Sequence, residues 1–125
     1  VTNNVNNLRA RAHEDINLIT LLVGAEESGL EVKSKKGNWV PIKASTNAIV
    51  CNIGDMMQLV TDGMLLSTTH RVISYPESQS KSRYSMPFFL HPSPDIVLKS
   101  IFNNNDDGVL ADDFLTERLK AIKLY

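Results

Sequence analysis

The sequence predicts a mainly β protein, an antiparallel sandwich or barrel with one helix at its C-terminus. Three observations lead there. Short apolar runs, mostly rich in β-branched residues, recur at even spacing through the first ninety positions. Segments with turn chemistry separate them. Only near the end does the apolar spacing turn helical.

Taken in order, strands are expected over residues 16–23, 29–33, 39–42 and 48–53. Their separators are GAEES, SKKGN, KASTN and the pair Gly54–Asp55, where Asp55 reads as a turn former. Gly37 and Asn38 can supply the positive φ of a tight hairpin. The stretch MMQLVTDGML fits either a short strand or a helical turn ending at Asp62 and Gly63. Two more strands, 66–75 and 83–90, flank the polar PESQSKS, and Pro92 and Pro94 end the second of them. NNNDDG is a loop. A helix follows over 112–123, with Leu115, Leu119 and Ile122 on one face. Asp112 and Asp113 suit its N-terminus, and Lys120 and Lys123 suit its C-terminus. Met56, Met57 and Met86 are expected as core filler. Phe88 and Phe89 should split between core and outer face, and Trp39 should cap the sheet. No repeat or linker interrupts the chain, so residues 1–125 read as one domain.

A length of 125 residues is enough to bury a core. The net charge of −1 and the absence of a long Lys/Arg run argue against nucleic acid as a partner. Lys33, Lys35 and Lys36 surround the SKKGN hairpin, a solvated turn. No apolar stretch is long enough to span a membrane, and no signal peptide is visible. The single cysteine, Cys51, cannot form an internal disulfide. It is expected buried and reduced, which points to a cytoplasmic setting. The opening VTNNVNNLRA lacks an initiator Met, as a processed or truncated product would.

His13 and Asp15 precede an apolar run. If both lie on one strand, alternation projects them side by side while Glu14 points away, giving two neighbouring ligands for one metal. A third must come from another strand. Of the three histidines, His91 lies in HPSPD after the last strand, where a loop role is expected; His70, in the strand-like STTHRVISY, is the natural candidate. Two imidazoles and a carboxylate on one triangular face are the ligand set of non-haem Fe(II) oxygenases, although zinc hydrolases and cupin-like proteins use the same side chains. A second pair, Arg83 and Ser85 in SRYSMPFFL, puts a guanidinium fork beside a hydroxyl, a clamp for a carboxylate a few ångströms from the metal. An Arg paired to a surface acid is the bland alternative.

HED (13–15), STTHRV (67–72) and RYS (83–85) occur in that order, with NIGDMMQLVTDG between the first two. Together they resemble the C-terminal catalytic half of the isopenicillin N synthase-like family of Fe(II)/2-oxoglutarate oxygenases. The resemblance runs from about Leu8 to the terminal helix. It implies a double-stranded β-helix, or jelly roll, with the metal inside one end. It implies further that His13, Asp15 and His70 ligate Fe(II), and that Arg83 and Ser85 hold the far carboxylate of the co-substrate 2-oxoglutarate. Asn17, inward of Asp15, would touch co-substrate or substrate. The reaction implied is oxidation of a small organic substrate by O2. A rival is an isopenicillin N synthase-type or ACC-oxidase-type iron oxidase without 2-oxoglutarate, in which Arg83 and Ser85 clamp the substrate itself. Another is a non-catalytic jelly-roll binding module. Family members are typically more than twice this length, with a helical N-terminal region. This chain therefore reads as an incomplete jelly roll whose partner is the missing N-terminal region of the same protein. Its open sheet edge would favour self-association.

Overall fold

The computed structural model describes residues 8–23, 29–43, 45, 47–75 and 84–123. The elements are β1 (Leu8–His13), β2 (Ile19–Val23), β3 (Leu30–Lys33), β4 (Trp39–Pro41), β5 (Ile49–Ile53), α1 (Asp55–Val60), β6 (His70–Ile73), β7 (Met86–Leu90), β8 (Val97–Leu98), β9 (Val109–Leu110) and α2 (Ala111–Ala121).

One sheet has the order β1-β6-β3-β4 and a second β5-β2-β7, all antiparallel; β8 and β9 form a small ladder of their own. Except at the β3–β4 hairpin, successive strands from β1 to β7 alternate between the two sheets. That winding makes the mainly β fold a double-stranded β-helix, with α2 as its C-terminal helix. The hairpin turns as SKKGN predicts: the Ser34 N–H donates to Asn38 O at 2.8 Å, and Gly37 takes φ 83°. Arg71 of β6 lies 4.1 Å over the Trp39 ring and bonds Glu31 at 2.7 Å, so the tryptophan does cover the sheet.

Several expectations are corrected. β1 was not foreseen, because LRARAH has no β-branched residue; its period-two alternation of Leu8, Ala10 and Ala12 against Arg9, Arg11 and His13 was the available signal. The strand expected at 16–23 begins only at Ile19, because residues 16–18 spend their backbone carbonyls on the start of α1. MMQLV takes the helical alternative as α1, and 66–75 narrows to β6. β8 and β9 lie where only loop was expected, and α2 starts one residue early and ends at Ala121.

The core sits where α1, β8–β9 and α2 meet. Met56, 1% exposed, packs with Leu98 and Ala111, flanked by Leu18, Val60, Val109, Phe114 and Leu115. Burying such a thioether side chain contributes about 1.5–3 kcal/mol. Met86 is exposed rather than core, and Phe88 and Phe89 are both exposed. Cys51 is exposed, not buried. The β2–β5 and β2–β7 registers explain this. Leu21, Cys51 and Phe88 are aligned across the sheet, as are Val23, Ile49 and Met86, so one face of three strands is apolar and open. Thr20 and Phe89 lie on the opposite face.

Candidate metal centre

The triad is built from two strands and a connector. His13 closes β1, His70 opens β6, and the two are partners in the β1–β6 register. Their ring centroids are 4.3 Å apart. Asp15 is not on a strand with His13. It lies in the connector between β1 and β2, and strand alternation is not what brings the two together. α1 straps this connector in place. The N–H groups of Gly54, Asp55 and Met56 donate to Leu18 O (3.0 Å), Asp15 O (2.8 Å) and Ile16 O (3.1 Å). Gly54 is required by close approach rather than by φ: a Cβ there would stand 2.0 Å from Asn17 O.

The orientation of both imidazoles follows from their backbone partners. His13 Nδ1 meets Arg11 O at 2.7 Å, and His70 Nδ1 meets Thr68 O at 3.1 Å. A carbonyl only accepts, so each Nδ1 is the donor, and in the tautomer this selects Nε2 carries the lone pair that a metal would take. Those nitrogens converge on Asp15 Oδ1, at 3.9 Å from His13 and 3.7 Å from His70. The ligand atoms of the three residues all lie within 4.8 Å of one another, the one such grouping of His, Cys, Asp and Glu among the described residues. Two neutral nitrogens and one carboxylate oxygen make a donor set that suits a divalent transition metal, and the arrangement leaves positions open. The hydrogen bonds from Nδ1 to carbonyls are the outer support that metal-bound histidines use. The residues present fit an iron ion.

Asp15 and His70 are buried, whereas His13 is exposed along one side. Asp15 Oδ2 accepts a hydrogen bond from Thr20 Oγ1 at 2.7 Å. Asn17, 1% exposed, donates from Nδ2 to Ile19 O (2.9 Å) and Thr20 Oγ1 (3.1 Å). Its NH2 is thus bonded to the first two residues of β2. Glu14, outside the metal grouping, accepts from Thr69 Oγ1 and ties the HED segment to the residue before His70. Thr20, Gly54 and the Glu14–Thr69 bond were not found by sequence reasoning; no motif spacing marks them, since Gly54 and Glu14–Thr69 depend on which segments become neighbours and Thr20 on the bend of the connector at residues 17 and 18.

A cavity of about 770 Å3 opens beside the triad. His13, Asp15 and Asn17 line it, facing an apolar wall of Phe89, Leu115, Leu119 and Ile122. Asp55 sits at its edge with its carboxylate 3.1 Å from Arg118 of α2, an ion pair rather than the turn-forming role expected. His91 also lines the cavity from the loop after β7 but is not in the metal grouping. Ser85 immediately precedes β7; Arg83 lies outside the described residues. Phe89 and Pro87 share the Thr20 face.

The family model of the 2OG-Fe(II) oxygenase superfamily matches residues 2–92. The chain is 34% identical over 112 residues to feruloyl CoA ortho-hydroxylase 2 of Arabidopsis thaliana, covering 86% of this chain and 30% of that one. Among solved structures, a 2OG-Fe(II) oxygenase family protein of Caulobacter crescentus superposes with a TM-score of 0.85 at 42% identity, covering 98% of this chain and 42% of the other. A Neurospora crassa protein, solved at full length in complex with alpha-KG, superposes at 0.82 with 28% identity over 95% of this chain and 39% of that one. The chain spans about a third of the length of the curated relatives it matches.

Proposed function

The chain belongs to the 2OG-Fe(II) oxygenase superfamily, and from that premise we propose that it carries the catalytic site of a non-haem Fe(II) oxygenase. The reaction couples oxidative decarboxylation of 2-oxoglutarate to oxidation of a small organic substrate by O2. The observation that carries this reading is the convergence of two Nε2 lone pairs and one carboxylate oxygen, each held by a second hydrogen bond behind it. When bound, Fe(II) supplies the O2 chemistry, through the positions that a facial set of two histidines and one carboxylate leaves open.

The residues divide that work. His13 and His70 offer neutral nitrogens whose protons are committed to Arg11 O and Thr68 O. Asp15 brings the negative charge that offsets the cation, and its burial keeps water from competing for Oδ1. Arg83 and Ser85 hold the far carboxylate of 2-oxoglutarate by a charge-assisted fork and a hydroxyl. Phe89, Leu115 and Leu119 form an apolar wall against which the body of an organic substrate can exclude water.

Residues 1–125 act as one domain of a longer polypeptide. The open apolar face of β2, β5 and β7 supports this, since a face that size on a soluble domain is ordinarily covered. The remaining N-terminal polypeptide covers it; in its absence the chain would self-associate. No described helix is long and apolar enough to cross a membrane.

The test is anaerobic addition of 2-oxoglutarate to the Fe(II)-loaded protein, followed by visible absorption. A metal-to-ligand charge-transfer band is expected, weakened by Arg83→Ala. Iron bound without a band overturns the 2-oxoglutarate reading in favour of an oxidase. Failure to bind iron at all leaves a binding module.

A further inference from the structure

We infer that Thr20 is a positioning residue for the metal site, one that keeps Asp15 a single-oxygen ligand. This rests on the reading of His13, Asp15 and His70 as metal ligands. Thr20 is 3% exposed on β2, and its Oγ1 lies 2.7 Å from Asp15 Oδ2. A hydroxyl has one proton, and three contacts compete to define its direction: Asp15 Oδ2, Asn17 Nδ2 at 3.1 Å and Asn17 Oδ1 at 3.3 Å.

Ile19 settles the competition. Its carbonyl can only accept and stands 2.9 Å from Asn17 Nδ2, which fixes the amide with its NH2 inward. The second amide hydrogen then goes to Thr20 Oγ1, whose lone pair it occupies. The Thr20 proton is left for the shorter, charge-assisted bond to Asp15. The direction is therefore set from Asn17 through Thr20 to Asp15. The result is an asymmetric carboxylate: Oδ2 is filled, while Oδ1 alone faces His13 and His70. A carboxylate free to rotate could turn both oxygens to a metal and take an additional coordination position. Thr20 prevents that, which keeps positions open for co-substrate and O2.

The experiment is Co(II) and Mn(II) binding to the full chain, comparing the parent with Thr20→Val, Thr20→Ser and Thr20→Cys. Thr20→Val keeps the volume and removes the proton. It is expected to weaken binding about 10–100-fold, the usual cost of losing an outer-shell partner. It should also change the Co(II) d–d spectrum, because the freed Oδ2 can reach the metal. Thr20→Ser keeps the hydroxyl and should match the parent in both readouts; Thr20→Cys, a weak donor, should fall between. Thr20→Val within twofold of the parent and with its spectrum overturns the inference. So does Thr20→Ser failing as Thr20→Val does, since the lost methyl would then be the cause. If Thr20→Val does not fold, Thr20→Ser and Thr20→Cys decide by the same criteria. Loss of metal binding by the parent itself overturns the ligand assignment instead, so the two failures are distinct.

Discussion

Gly54→Ala is a probe of how α1 holds the triad. A Cβ at position 54 would stand 2.0 Å from Asn17 O and 2.7 Å from Asn17 C, both backbone atoms that no rotamer change can move. Ordinary van der Waals contact begins at 3.4 Å, so the α1 start and the connector must separate by about 1.4 Å. Three backbone N–H donors cross that gap, Gly54 to Leu18 O, Asp55 to Asp15 O, and Met56 shared between Ile16 O and Asn17 O. Each contributes about 0.5–1.5 kcal/mol, and overpacking adds about 1–3 kcal/mol. Lower unfolded-state entropy for Ala returns about 0.4–1 kcal/mol. The net expectation is a loss of about 1.5–7 kcal/mol in urea unfolding, the upper end applying if all of these bonds are lost. Because Asp15 rides on the displaced connector, metal affinity should fall with stability, by about 10-fold or more. A Gly54→Ala protein within about 0.5 kcal/mol of the parent and with parental affinity would refute the strapping account.

Met56→Ala, emptying the most buried apolar site among the described residues, should cost about 2–5 kcal/mol, read as a lower urea midpoint at unchanged slope. Asp106 caps its loop by accepting from the Ser100 N–H (2.7 Å) and the Gly108 N–H (2.9 Å). The Ser100 bond, then the Gly108 bond, hold its carboxyl below its ordinary value of 3.8, with a smaller contribution from Lys99. A depressed carboxylate stabilises the fold above its unfolded value and loses that contribution as pH falls through the folded one. The Tm gap between parent and Asp106→Asn should therefore be full at about pH 5 and close only below pH 3.8.

What the sequence revealed was what depends on local order. SKKGN, the Asp-rich start of α2 and the ordered HED, STTHRV and RYS motifs could all be read directly, because turn chemistry, first-turn charge and motif order are properties of neighbouring residues. His13, Asp15 and His70 were identified correctly as neighbours, but by a geometry the molecule does not use. Asp15 reaches the histidines through a connector strapped to α1, a contact between residues some forty apart in sequence. Thr20 is only five positions from Asp15, but the bend at residues 17 and 18, not strand alternation, brings its hydroxyl to the carboxylate. Cys51, Met86 and Phe88 were misplaced because an apolar strand looks the same whether or not its outer face is covered. The family resemblance supplied the strand winding, which periodicity had narrowed only to a sandwich or barrel.

The most direct test of the central claim is anaerobic calorimetric titration of Fe(II) into the parent, His13→Ala, Asp15→Ala, His70→Ala and His91→Ala. One equivalent should bind the parent and His91→Ala alike, and binding should be lost or greatly weakened in the other three. Parental affinity in Asp15→Ala, or a loss in His91→Ala equal to that in His70→Ala, would contradict it.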